Sequence, residues 1–182
     1  MTTFSRLHPD FFKRDAVTVA RELLGKTIVR RFEDGEEKRF VIVETEAYLG
    51  EEDLACHASK GRTPRTEVMY HGGNKIYVYL IYGMYWMLNF VTGDEGHPQA
   101  VLIRGVDDVI GSGRVGRLLR LDKSFYGEEL YTSDRLWVED SPMIESYKTA
   151  QRVGVDYAKE WKDKEWRFVS LPKDTPLKRG NK

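Results

Sequence analysis

Glu44, Glu46 and Tyr48 occupy every second position of the run Val43-Glu44-Thr45-Glu46-Ala47-Tyr48. Side chains alternate along a strand, so these three share one face. A carboxylate beside a phenol ring can activate a water, or steady a developing positive charge, next to a flat ligand stacked on the ring. The same spacing also describes a solvated sheet edge. Arg104 closes the apolar run Val101-Leu102-Ile103, and an arginine half-buried there needs a carboxylate partner, either as a structural ion pair or as part of a site.

Aromatic rings offer the second kind of chemistry. Tyr77-Val78-Tyr79 and Tyr82-Gly83-Met84-Tyr85-Trp86 fit a buried strand pair, the commoner use of such a pattern. Tyr82 is the exception, because beside Gly83 it falls at the expected turn, where a large ring is hard to bury. An exposed ring at a hairpin tip could wedge into a base step. His57-Ala58-Ser59-Lys60-Gly61-Arg62-Thr63-Pro64-Arg65-Thr66 reads as a basic loop. It is either merely solvated or in contact with phosphates through Lys60, Arg62 and Arg65.

These residues must be held by a framework. Asp15 caps a helix whose apolar positions run from Ala16 to Leu24, with Gly25 as its stop. Thr27 to Phe32 and Phe40 to Tyr48 predict strands around an Asp34-Gly35 turn. Residues 49–75 are broken by glycines and Pro64. Ile76 to Tyr82, Tyr85 to Val91, Ala100 to Gly105 and Trp166 to Val169 predict further strands, followed by a polar tail. Arg114 to Leu121 predicts a short helix that brings Arg114, Arg117 and Arg120 together, with Arg114 as another candidate phosphate contact. Ser146 to Val153 predicts another helix. The expected class is α+β: one domain over residues 1–182, with a curved, largely antiparallel sheet, a protruding hairpin and helices around it.

Composition narrows the function. The 182 residues are 41% apolar and 32% charged with zero net charge, which suits a globular domain and speaks mildly against nucleic acid as a partner. The charge is uneven, however: residues 54–123 carry nine basic and six acidic side chains, so one local face could still meet phosphates. Cys56 is the sole cysteine, which excludes an internal disulfide. No CxxC, HxxxH or HExxH spacing suggests a metal, and none is expected. The uncharged stretch Ile76–Val91 has 16 residues, short for a membrane span. Met1 to Arg6 lacks the apolar run of a signal peptide. Cytoplasmic placement is therefore expected, nucleoid-associated in a bacterium or nuclear in a eukaryote.

Several segments together resemble the alkyladenine (3-methyladenine) DNA glycosylase family. They are Val43-Glu44-Thr45-Glu46-Ala47-Tyr48-Leu49-Gly50, His57, Arg62-Thr63-Pro64-Arg65, Tyr77-Val78-Tyr79, Tyr82-Gly83-Met84-Tyr85, Asn89, Val101-Leu102-Ile103-Arg104, Arg152-Val153-Gly154-Val155 and Trp166-Arg167-Phe168. The resemblance runs in register from about Leu7 to Val169. It implies a monofunctional enzyme that cleaves alkylated purines from duplex DNA in base excision repair, working as a monomer without a cofactor. Glu46 would deprotonate the attacking water, while Arg104 and the Val153 carbonyl would hold it. Tyr48 would stack on one face of the flipped base, with His57 and Tyr79 on the other. Tyr82 would fill the gap left in the duplex, and Asn89 would exclude the 2-amino group of guanine.

One stretch departs from that pattern. Members of the family usually carry a longer helical insert after Arg104, before a Gly-Pro-Gly-Lys-like turn. Here only Gly105 to Ile110 intervene, and the turn reads Gly111-Ser112-Gly113-Arg114. This leaves open a lesion-binding module without catalysis, and, as a more distant alternative, a small-molecule hydrolase using the same pocket.

Overall fold

The computed structural model describes residues 4–171. The polar tail expected after Val169 lies mostly outside that range. Among the described residues nine strands form one strongly curled antiparallel sheet: β1 (Thr27–Arg31), β2 (Glu37–Tyr48), β3 (Ile76–Ile81), β4 (Tyr85–Thr92), β5 (Gln99–Val106), β6 (Val109–Ile110), β7 (Leu136–Glu139), β8 (Tyr147–Ala150) and β9 (Arg167–Ser170). The main path runs β3-β4-β5-β2-β1-β7, with β6 beside β5, and β9 joining β8 to β2.

The long strand β2 organises the sheet. Its first part pairs with β1 from Glu37 to Val41, and its second part pairs with β5 from Ile42 to Tyr48 and with β9 from Glu44 to Glu46. The β2–β5 register shifts around Glu44. Such irregularities bend a strand and increase its twist, so β2 can belong to both halves of a half-barrel.

Three short helices, α1 (Pro9–Phe12), α2 (Ala16–Glu22) and α3 (Ser112–Leu118), accompany the sheet, along with 3-10 turns. The Asp15 carboxylate caps α2 by accepting the Thr18 N–H at 2.9 Å. Ala16, Val19, Ala20, Leu23 and Leu24 are buried without exception, and α2 packs on β2 and β5. At about 1.5–3 kcal/mol for each large side chain removed from water, this face is a major part of the core. Helix α3 lies directly on β4, so close that a Cβ on Gly116 would stand 1.8 Å from the Trp86 carbonyl oxygen.

The expected helix at Ser146–Val153 is instead strand β8, paired with β9 from Tyr147–Ser170 to Ala150–Arg167. A two-turn helix is marginal alone, whereas β9 offers this segment a full ladder and Phe168 a ring contact with Tyr147 at 6.0 Å. Strand β7 has no counterpart among the expected elements. Its four residues are all buried, so it shows no alternation.

Candidate active site

Strand alternation aims the candidate residues. The Thr45 hydroxyl faces α2 and donates to the Ala20 carbonyl at 2.7 Å, and Ala47 is in the core. Glu44, Glu46 and Tyr48 therefore turn to the opposite side, under the loop after β2 and the segment after β8. This face is no solvated edge, since Glu44 is 4% and Glu46 0% exposed.

Glu46 forms part of the wall of a cavity of about 160 Å³, several times the roughly 30 Å³ share of one water molecule. Its Oε2 accepts the Val153 N–H at 2.6 Å, and its Oε1 lies 3.4 Å from the Tyr48 hydroxyl and 4.0 Å from Nη1 of Arg104. Burial pushes the carboxyl up to about 7, while the Val153 amide and then Arg104, Arg152 and Arg167 pull the other way. A carboxylate with this proton affinity can take up a proton at neutral pH.

Arg104 is held as its strand position required. Its Nε donates to Glu44 Oε1 at 3.1 Å, and the same oxygen accepts from Arg167 Nη1 at 3.2 Å. The Arg104 carbonyl in turn accepts the Gly111 N–H at 2.7 Å.

The aromatic part comes from β3 and from the 3-10 turn His57–Lys60. His57 and Tyr79 meet edge to face at 4.4 Å between centroids, and His57 Nδ1 lies 2.9 Å from the Tyr77 hydroxyl. Burial, aided by the charges of Arg65 and Lys60, lowers His57 to about 4, so its ring is neutral at pH 7. Asn89 sits buried on β4, its amide donating to the Tyr77 carbonyl at 3.2 Å. Glu46, Tyr48, His57, Tyr79, Asn89, Arg104 and Val153 thus all line one cavity. Carboxylate, guanidinium and facing rings can receive a flat, electron-poor ring system and a water beside it.

Two segments of the chain, residues 10–112 and 107–173, match the methylpurine-DNA glycosylase family. This chain belongs to that family. Among its relatives is a protein of Desulfitobacterium hafniense (strain Y51), 44% identical over 90% of this chain and 94% of its own. One from Natranaerobius thermophilus is 40% identical, with the same coverage of the two chains. One from Legionella pneumophila (strain Corby) is 44% identical over 94% of this chain and 96% of its own. Each bears the provisional name 3-methyladenine DNA glycosylase.

The methylpurine-DNA glycosylase match divides at 107–112, where the sequence looked short. The D. hafniense alignment also runs over 191 positions while taking in 90% of a 182-residue chain, so that relative carries residues missing here. In their place β5 turns tightly into β6. Asp107 donates its N–H to Val41 at 2.8 Å, and its carboxylate accepts the Val41 N–H at 3.0 Å.

The remaining expected residues of this family member lie outside the cavity. Tyr82 stands at the tip of the β3–β4 hairpin, 88% exposed, with φ +53 beside Gly83 at +66. Two successive positive φ values suit a tight hairpin, but the Cβ of a non-glycine residue in that conformation is a local cost of about 1–2 kcal/mol. Lys60, Arg62, Arg65 and Arg114 are all exposed. Arg62 is engaged by Glu67 through two 2.7 Å contacts, and Arg65 lies over the Tyr79 ring at 4.9 Å.

The structure adds four residues that the sequence reading did not single out for the site: Asp53, Tyr157, Arg167 and the Arg152 side chain. Tyr157 lines the cavity while 67% exposed. Asp53 and Arg152 are paired 99 positions apart, so no local spacing could have flagged them. Among the described residues no group of three His, Cys, Asp or Glu side chains could hold a metal, and no helix is long and apolar enough to cross a membrane.

Proposed function

We propose that this chain is a monofunctional DNA glycosylase that excises alkylated purines from duplex DNA. The reading is carried by the buried Glu46 carboxylate in the wall of the cavity shared by Tyr48, His57 and Tyr79. A base inside a duplex hides its glycosidic bond, so the nucleotide must swing out. Extrusion costs a few kcal/mol, and stacking on aromatic faces returns about 1–3 kcal/mol per base. Tyr82 fills the vacated space in the duplex, while Lys60, Arg62, Arg65 and Arg114 meet phosphates.

In the pocket, Tyr48 stacks on one side of the base and His57 with Tyr79 on the other, and Asn89 opposes the 2-amino group of guanine. Glu46 takes a proton from a water held by Arg104 and the Val153 carbonyl. The water oxygen bonds to C1′ of the sugar, and the C1′–N electron pair leaves with the base. A 3- or 7-alkylated purine, such as 3-methyladenine or 7-methylguanine, is already cationic. It departs without protonation and gains attraction from the electron-rich rings. Hypoxanthine and ethenoadenine need a proton or hydrogen bond as they leave. Among the described residues no lysine lines the cavity, which suits hydrolysis without strand nicking. Every group named lies on one chain, so a monomer suffices.

Single-turnover release of base from methylated duplex tests this. Wild type should leave abasic sites, and Glu46→Gln should bind the lesion duplex but release nothing. Wild-type turnover by Glu46→Gln would overturn the assignment of the base. The shortened segment after Arg104 favours the alternative of a non-catalytic lesion-binding module. That alternative predicts retention of lesion duplex by wild type without abasic product.

A further inference from the structure

The Asp53 and Arg152 side chains are both completely buried. Arg152 grips Asp53 with both terminal nitrogens, at 2.5 and 2.9 Å. The same guanidinium donates to the carbonyls of Ala47 at 3.0 Å and Trp161 at 3.1 Å. It also lies over the rings of Tyr48, at 4.8 Å, and Trp166, at 5.0 Å. Asp53 in turn accepts the N–H groups of Leu49 at 3.0 Å and Ala55 at 3.1 Å.

One ion pair therefore joins three pieces of chain: the end of β2, the loop that follows it, and the turn after β8. Two of its contacts fall next to the chemistry. Ala47 separates Glu46 from Tyr48, and Arg152 directly precedes Val153, whose N–H rests on Glu46 Oε2. A fully buried ion pair is weak support for stability by itself, because desolvation offsets much of the attraction. Its geometry serves placement instead.

We infer that Asp53 and Arg152 are a positioning pair, locking the loop after β2 to the turn after β8 so that the Val153 amide is held against the Glu46 carboxylate. Without that clamp the amide can move away, and the carboxylate loses a hydrogen-bond donor and a nearby positive charge together. Both losses favour the protonated acid. The other groups facing Glu46 are Tyr48 on its own strand, Tyr79 on β3, Arg104 on β5 and Arg167 on β9. Glu44 anchors both arginines. The substitutions below leave all of these in place.

This inference rests on the glycosylase reading for its catalytic meaning, but its test does not depend on turnover. The Glu46 carboxyl is titrated by 13C NMR in the DNA-free protein, for wild type, Arg152→Gln, Asp53→Asn and Val153→Pro. Base release against pH is measured in parallel. Val153→Pro guards against misfolding of the buried-pair variants. Val153 is half exposed and precedes Gly154, whose φ is +73, and the position before such a residue in a tight turn accepts proline. This change puts the ring Cδ where the amide hydrogen pointed, so the bond to Glu46 Oε2 is lost and the carboxylate must turn aside. The carboxyl midpoint should rise by roughly one pH unit in Arg152→Gln and Val153→Pro, with base release near neutrality about tenfold lower and recovering at higher pH. An unchanged midpoint in the folded variants, Val153→Pro included, would reduce the pair to a structural brace. Midpoints that rise in the variants as expected, with no base release by wild type, would instead overturn the glycosylase reading and leave the clamp standing.

Discussion

The Val153 amide lies 2.6 Å from a carboxylate oxygen of Glu46, across 107 positions of sequence. Glu46 comes from a sheet strand and Val153 from an irregular turn, so their meeting depends on where β8 and β9 place that turn. The contact sets the balance at the site. Burial drives the carboxyl towards its neutral form, and one well-aligned N–H, with three arginines behind it, keeps the charged form within reach at neutral pH.

Base release should depend on pH accordingly. With the Glu46 carboxyl near 7, the single-turnover rate on lesion duplex should fall about tenfold per pH unit below that point and level off above it. A bound cationic lesion favours the carboxylate, so the midpoint should be lower on 7-methylguanine than in the empty pocket. A flat profile from pH 5 to 9 would count against Glu46 as the base.

Stability should carry the same signature. The folded-state carboxyl is raised from 4.5 to about 7, so stability that is fully present below 4.5 is lost as pH rises through 7. The shift corresponds to about 3 kcal/mol. Glu46→Gln removes the ionisation, so its melting temperature relative to wild type should climb between pH 4.5 and 8. A constant difference would mean that Glu46 titrates normally.

Tyr82→Ala should leave thermal stability nearly unchanged, because the ring is 88% exposed and alanine keeps the Cβ that makes a φ of +53 costly. If the ring fills the gap in the duplex, lesion binding should weaken by about tenfold to a hundredfold, the equivalent of roughly 1–3 kcal/mol of stacking. Gel-shift or anisotropy titration on lesion duplex reads this directly. Undiminished affinity would remove Tyr82 from the interface.

Glu44→Gln should weaken the hold on both Arg104 and Arg167, which share its Oε1 at 3.1 and 3.2 Å. Leaving two half-buried guanidinium groups without their carboxylate should cost about 2–3 kcal/mol in chemical denaturation, below the range for a fully buried pair. Base release should drop as well, since Arg104 faces Glu46.

Gly116→Ala tests the seating of α3. Its Cβ would stand 1.8 Å from the Trp86 carbonyl oxygen, backbone that cannot rotate away. The helix must lift off β4, and the loss should exceed that of an ordinary overpacked core position, about 1–3 kcal/mol. The midpoint of urea unfolding measures it.

Local rules made much of the framework legible. Alternation along Val43 to Tyr48 placed Glu44, Glu46 and Tyr48 together, the Asp15 cap and apolar spacing located α2, and Tyr82 beside Gly83 marked an exposed tip. Residues 146–153 misled, because their pairing partner β9 lies far along the chain and overrode weak local preference. Strand β7, buried at every position, showed no period to detect. Asp53 fell in the stretch 49–75, broken by glycines and Pro64, with nothing nearby to reveal Arg152.

The sequence by itself determined which side chains point the same way, since period-two and helical spacing are properties of contiguous backbone. It also fixed the family, since the motifs run through most of its length. Only the tertiary structure decided that Glu46 is buried, that Arg104 answers to Glu44, and that Val153 reaches the carboxylate. Those facts follow from which distant segments the curled sheet brings together and how much water they exclude, and both are settled only when the chain closes on itself.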